Sequence, residues 1–180
     1  MPKRQLSHFP VMVNEVVSFL EPKQGRTYLD CTFGQGGYSR KILESAKCKV
    51  YAIDRDSSSV KYAKDLSQKF KSRFTFSNAK FSDLPIVLQK KNIKAIDGMV
   101  IDLGISNTQL FDPGRGFSFK NNGPLDMRMD NINTKLTAEK IINEYDEKEL
   151  SDIFFYYGEE RNSRKIANSI VEFRKKKKID

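Results

Sequence analysis

Tyr28-Leu29-Asp30-Cys31-Thr32-Phe33-Gly34-Gln35-Gly36-Gly37 is the stretch on which the fold turns. Residues 28–32 are short and mostly apolar, as a buried strand requires. Three glycines then break the pattern and open backbone angles closed to other residues. Residues 39–45 return to helical spacing. A strand, a glycine turn and a helix in that order place free N–H groups and a partial positive charge at the end of the strand.

The same alternation continues outward. Residues 49–54 read as a second strand, 58–70 as a helix, 74–76 as a third strand, 82–91 as a helix with Pro85 in its first turn, and 96–103 as a fourth strand. Strands separated by helices of this length make right-handed βαβ units and a parallel sheet. A short amphipathic helix at 13–20 precedes them, with Val13, Val16, Val17 and Leu20 at helical spacing. Beyond 103 the alternation stops. Residues 104–133 are rich in glycine, proline, asparagine and charge and read as a long functional loop. Helices are expected at 138–144, 147–157 and 161–176. A doubly wound sheet uses about five to seven strands, and four are expected here, so the sheet reads as incomplete.

The bulk numbers fit a folded α/β chain. There are 180 residues, 38% of them apolar, with no low-complexity tract. No apolar run of about 18 residues suggests a transmembrane helix, and the N-terminus lacks the apolar stretch of a signal peptide. Cys31 and Cys48 are expected to be reduced, buried thiols. One histidine, His8, and no Cys-x-x-Cys pair argue against zinc, so no metal site is expected. The charge of +9, from 32 basic and 23 acidic residues, favours a polyanionic partner such as nucleic acid. A solvated lysine-rich surface is the competing reading. It applies most directly to the run Arg174 to Lys178.

Asp54 ends the second strand, seventeen residues beyond Gly37. An acid there is placed to accept the ribose hydroxyls of a nucleoside ligand. Dinucleotides and S-adenosylmethionine share this feature. The glycine spacing is G-x-G-G, not the G-x-G-x-x-G that admits a pyrophosphate. Asp30 would attract the ammonium or sulfonium of S-adenosylmethionine and repel a pyrophosphate. A generic glycine turn with Asp30 as a helix-capping residue is the alternative. Asp102 ends the fourth strand, where open parallel sheets bind ligands, or else it caps the loop that follows. Phe81 can pack on an adenine face or in the core. Arg115-Gly116-Phe117-Ser118-Phe119 and Gly123-Pro124-Leu125-Asp126-Met127-Arg128-Met129-Asp130 combine arginine with aromatics, which suits RNA. A self-packed loop with an Asp126–Arg128 ion pair is the alternative. Gly158-Glu159-Glu160-Arg161 reads as a helix junction.

Taken together, Asp30 to Ser39, Ala52-Ile53-Asp54-Arg55-Asp56, Asp102-Leu103-Gly104-Ile105-Ser106, the two loop motifs and Tyr157-Gly158-Glu159-Glu160-Arg161 resemble the bacterial 16S ribosomal RNA cytosine-N4 methyltransferases, the RsmH (formerly MraW) family. His8-Phe9-Pro10-Val11-Met12 with Glu15-Val16 looks like that family's start. The resemblance implies a Rossmann-like class I methyltransferase sheet, here with about four parallel strands, and the start of a helical insertion domain. It divides the chain into a cofactor-binding domain at 1–133 and the first part of the insertion at 134–180. It implies S-adenosyl-L-methionine as cofactor, 16S ribosomal RNA in the small subunit as substrate, and a cytoplasmic location. Cofactor contacts carry over to Gly36, Gly37, Tyr38, Asp54, Phe81, Asp102 and Gln109. Asp102 is the expected catalytic residue. Position 38 departs from the family, which usually has histidine there. The family's greater length implies that this chain is an N-terminal portion. A dinucleotide-dependent oxidoreductase and a non-catalytic RNA-binding protein remain the alternatives.

Overall fold

The computed structural model describes residues 10–180. The chain divides into two compact units, Met1–Ser106 and Asn107–Asp180. His8 and Phe9 of the expected N-terminal motif lie outside the described residues.

The first unit opens with α1 (Val13–Leu20). The strands β1 (Thr27–Asp30), β2 (Lys49–Asp54), β3 (Phe74–Asn78) and β4 (Gly98–Val100) then build one sheet. Its order is β3-β2-β1-β4 and every pair is parallel. Between the strands lie α2 (Gly37–Ser45), α3 (Val60–Phe70) and α4 (Leu84–Lys90). The Rossmann-like α/β sheet of four parallel strands is therefore present as expected.

Strand alternation decides which side chains go where. Tyr28, Val50 and Ala52 point to the face covered by α1, α2 and α3, in one cluster with Ile42, Leu43, Leu66 and Phe70. Leu29 and Ile53 point the other way, where Leu84 and Val87 of α4 pack on them. A central parallel strand buried on both faces has little room for polar residues. Asp30 at the end of β1 is the exception, and it is fully buried. Cys31 and Cys48 are buried free thiols, as the composition suggested.

The fourth strand is shorter than its apolar run. Its start is set by Asp97, whose carboxylate accepts from the Thr27 amide and from Arg26, each at 2.8 Å. Its end is set where the Asp102 amide donates to the Thr32 hydroxyl at 2.8 Å instead of to a neighbouring strand. Side chains thus replace the ladder at both ends, and the apolar run 101–103 belongs to the exit loop.

The second unit is helical, with α5 (Asn107–Phe111), α6 (Ala138–Glu144), α7 (Glu147–Tyr156) and α8 (Ser163–Arg174). The long loop expected at 104–133 therefore contains a short helix, which the glycine, proline and asparagine around it concealed. Its remainder is knotted on itself. Arg115 is buried and donates to the carbonyls of Arg128 and Met129, both at 2.9 Å. Arg128 pairs with Asp126 through Nε and Nη2 and also donates to the Thr134 carbonyl. Gly116 has φ +72°, and a Cβ there would strike the Pro124 carbonyl. The self-packed reading of this loop is the one observed. Gly158 closes α7, its amide donating to the Phe154 carbonyl at 3.1 Å, and Glu159 follows at φ +53°, so the junction forms as expected. Among the described residues, no helix is long and apolar enough to cross a membrane.

Because Arg115 satisfies two carbonyls from inside the loop, Arg115→Met should leave buried acceptors unpaired. The expected cost is about 2–4 kcal/mol, read as a lower midpoint for helix loss on heating. An unchanged midpoint would mean the loop holds without this pin.

Candidate functional site

The strand order places a topological switch point between β1 and β4. From β1 the chain winds outward through β2 to β3, then returns to β4 on the other side of β1. Ligands of open parallel sheets bind outside the carboxyl ends of the strands at such a point. The glycine turn leaves β1 there, and Asp102 leaves β4 beside it.

The turn is shaped from below. The Phe33 ring packs between Phe74 and Phe76, with centroid separations of 5.5 and 5.1 Å. A Cβ on Gly36 would lie 2.7 Å from that ring, and Gly36 adopts φ +80°, so glycine is required twice over. A Cβ on Gly37 would collide with Pro10. Gly34, at φ +52°, has an open flank: its nearest neighbour would be the Thr32 carbonyl at 3.9 Å. The turn is thus closed toward the core and the N-terminal segment and open at Gly34.

Three carboxylates fix this turn. Asp30 accepts from the Ser39 hydroxyl at 2.6 Å and the Thr32 amide at 3.2 Å. Burial pushes its carboxyl up to about 6, against the opposing pull of these two donors. It braces the turn internally, and with no exposed surface it does not meet a ligand directly. The helix-capping reading of Asp30 is not observed, because the N-cap of α2 is Gly36, with no side-chain cap. Asp54 accepts from the Gly34 amide at 2.6 Å and the Asp56 amide at 2.8 Å, which ties β2 to the turn. Burial raises its carboxyl as well, with the two amides pulling it back down. The Ser59 hydroxyl bonds the same carboxylate, so of its four acceptor sites one is left for a ligand hydroxyl. Asp102 is exposed and held twice, by its own amide on Thr32 Oγ1 and by its Oδ2, 3.1 Å from the Tyr38 hydroxyl.

Tyr38 is 5% exposed, and its hydroxyl also donates to the Val11 carbonyl at 2.6 Å. Burial comes first, and the negative charge of Asp102 second, in pushing its phenol up to about 12. Gly36, Gly37, Tyr38, Asp54 and Asp102 therefore gather at the carboxyl end of the sheet. Phe81 begins a short turn after β3 and is 47% exposed, so it is not a core residue. Gln109 is buried in α5 of the second unit.

Thr32 and Ser39 escaped the sequence reading. Each carries a small hydroxyl that is unremarkable until the fold sets it against a carboxylate or an amide. Ser39 could have been suspected from its place in the first turn of a helix that follows a buried acid. The basic run at the end of the chain is largely engaged within its own unit. Arg174 donates to the Ile142 and Tyr145 carbonyls, Lys175 pairs with Glu172, and Lys178 pairs with Glu139.

A family model described as the MraW methylase family matches residues 5–180. A Rickettsia massiliae protein named ribosomal RNA small subunit methyltransferase H is 49% identical over 174 residues, covering 97% of this chain and 55% of its own length. Proteins of the same name from Rickettsia bellii and from Wolbachia sp. subsp. Drosophila simulans are each 48% identical, covering 98% and 97% of this chain and 56% and 59% of their own length. The chain spans just over half the length of these curated relatives.

The buried acid makes a pH prediction. Folded Asp30 holds its proton to about pH 6, whereas the unfolded chain releases it near the ordinary value of 3.8. The contribution of Asp30 to stability should therefore fall as pH rises from about 4 to about 6, by up to about 3 kcal/mol, while Asp97, Asp126 and Glu172, held below the ordinary range by their partners, contribute slopes of the opposite sign. Asp54, shifted in the same direction as Asp30, adds a slope of the same sign as Asp30. Asp30→Asn should make the slope visibly shallower in urea unfolding measured across this window. An equally steep slope in the variant would contradict the assignment.

Proposed function

Because this chain belongs to the MraW methylase family, we propose that it forms the cofactor-binding part of an S-adenosylmethionine-dependent enzyme that methylates N4 of a cytidine in 16S ribosomal RNA. The observation that carries the reading is the meeting of the open glycine turn with exposed Asp102 at the β1/β4 switch point. The residues present suit the cofactor. The turn leaves room at Gly34, Asp54 offers an acceptor lone pair at the end of β2, and Ser39 stands where the third glycine of G-x-G-x-x-G would admit a pyrophosphate.

When bound, S-adenosylmethionine supplies an electrophilic methyl group. Gly34 lets the main chain approach it, Gly36 and Gly37 enter as contacts through the family resemblance, and Asp54 would accept from its ribose. Phe81, half-exposed after β3, offers a face for the adenine. Gln109 and the backbone of Tyr38 are carried into the proposal by the family resemblance. The exocyclic amine of cytosine is a weak nucleophile, because its lone pair is delocalised into the ring. Asp102 accepts a hydrogen bond from that amine and orients it. Asp102 would take the proton that the nitrogen sheds on accepting the methyl group. Orientation of this kind lowers a barrier by several kcal/mol, up to about 7–11 in ideal cases. The target base swings out of its stack to reach the site.

The net charge of +9 supports an RNA partner. With Arg115 and Arg128 consumed by the loop, the aromatic contact to RNA falls to fully exposed Phe119 at the loop's surface. The proposal keeps the division at residue 133 for the start of the helical insertion, and a cytoplasmic site of action.

Calorimetry tests the cofactor. S-adenosylhomocysteine should bind this chain and NAD should give no heat, and the reverse result would favour an oxidoreductase. Small ribosomal subunits lacking the modification, incubated with the protein and labelled cofactor, test the reaction. There Asp102→Asn should lower turnover by about 10²-fold or more while changing cofactor affinity little. Undiminished turnover would remove Asp102 from the proton transfer.

A further inference from the structure

The Tyr38 hydroxyl sits at a junction that the proposed chemistry leaves unexplained. Two acceptors face it: the Val11 carbonyl at 2.6 Å and Asp102 Oδ2 at 3.1 Å. A phenol has one proton to donate and lone pairs to accept with. It therefore cannot donate to both acceptors at once. An ionised Asp102 carboxylate can only accept, so it competes with Val11 for the same proton. A carboxyl that carries a proton can donate to the phenol's lone pair instead, and the phenol's proton is then free for Val11.

The Val11 end of this junction bears on the site. Residues 10–12 run over the glycine turn, with Pro10 against Gly37 so closely that no Cβ fits between them. Met12, at φ +50°, turns the segment into α1 without any side-chain cap. Pro10 and the Tyr38–Val11 bond thus anchor this strap to the turn and the start of α2. Asp30, buried beneath and negatively charged when ionised, is the other acidic group that acts on the phenol. Asp102, by contrast, is exposed and open to an incoming donor.

We propose that Tyr38 is a positioning residue that couples Asp102 to the 10–12 strap. A hydrogen-bond donor arriving at Asp102, such as an exocyclic amine, satisfies the carboxylate and releases the phenol's proton to Val11, which fastens the strap over the glycine turn. The substrate side of this inference rests on Asp102 as the amine's acceptor. The coupling itself is a property of the ligand-free chain. A ligand shifts such an equilibrium only through the difference in its contacts with the two states, and the shared proton supplies that difference.

Hydrogen exchange, read by mass spectrometry on the ligand-free 180-residue chain, tests the coupling. Tyr38→Phe keeps the ring and removes the shared hydroxyl. Exchange in the peptide covering 10–20 should rise about three- to tenfold. Asp102→Asn puts an amide near the phenol, and that amide can donate to it. Strap exchange should then fall below the wild-type rate. The double variant should behave like Tyr38→Phe alone. In all three, the peptide covering β2 should be unchanged. Purely structural packing of the Tyr38 ring would leave the strap indifferent to Asp102→Asn. An unchanged or faster strap in Asp102→Asn overturns the proposal, as does an unchanged strap in Tyr38→Phe or a β2 peptide that loosens in step. If S-adenosylhomocysteine fails to bind, the functional reading falls while the exchange result still decides the coupling.

Discussion

A carboxyl group with no access to water organises the first unit. Burying Asp30 at the end of β1 costs free energy, and the cost is offset only because the Thr32 amide and the Ser39 hydroxyl converge on it. Those two bonds link the strand end to the first turn of α2 and so fix the curvature of the glycine turn between them. Asp54 repeats the device from β2, holding the Gly34 amide. With the turn pinned from both strands, Phe33 can press its ring against Gly36 from below, and the flank at Gly34 stays open. The arrangement puts polar strain where a ligand is to be met and leaves apolar packing to the two faces of the sheet. A network of this sort is worth its cost only when every member is satisfied.

Much of this was legible in the chain. The two-residue alternation of β1 and β2 sends Tyr28, Val50 and Ala52 one way and Leu29 and Ile53 the other, and that pattern follows from strand geometry alone. The glycines announce a turn because few other residues tolerate Gly36's backbone. The carboxylates at the strand ends stand out because an apolar run seldom closes on an acid. The less legible features depend on partners far away in sequence. The length of β4 is decided by Asp97 meeting Thr27 and by Asp102 meeting Thr32, about seventy residues distant, and no local pattern encodes either. Arg115 looks like a phosphate ligand in sequence, because nothing nearby reveals that the carbonyls of Arg128 and Met129 will surround it. Tyr38 enters the sequence reading only as a cofactor contact implied by resemblance, and nothing local reveals that Val11 and Asp102 will meet at its hydroxyl. Placement at the switch point was therefore readable, whereas the bonds that hold each side chain there were not.

The second unit solves a different problem with similar means. Its long connection contributes no side chain to the buried hydrophobic core, so it is not held by burial alone. Instead, two arginines turn inward and donate to backbone carbonyls, and glycines at 116 and 123 let strands of the loop touch. A segment knit this way is ordered without being hydrophobic. It can present a fully exposed aromatic such as Phe119 without collapsing around it.

The two thiols lead somewhere else. Cys31 directly follows β1 at 2% exposure, and burial together with the charge of Asp30 pushes it up to about 11. Cys48, just before β2, is equally enclosed and raised by burial. Neither supplies appreciable thiolate near neutral pH, so thiol-selective electrophiles and mild oxidants find no accessible thiolate in the closed molecule. Reactivity returns only when the sheet parts. The chain thus contains its own clock for breathing of the central strands: alkylation of Cys31 counts openings beside the glycine turn, and alkylation of Cys48 counts openings at the opposite end of the sheet, with no residue replaced.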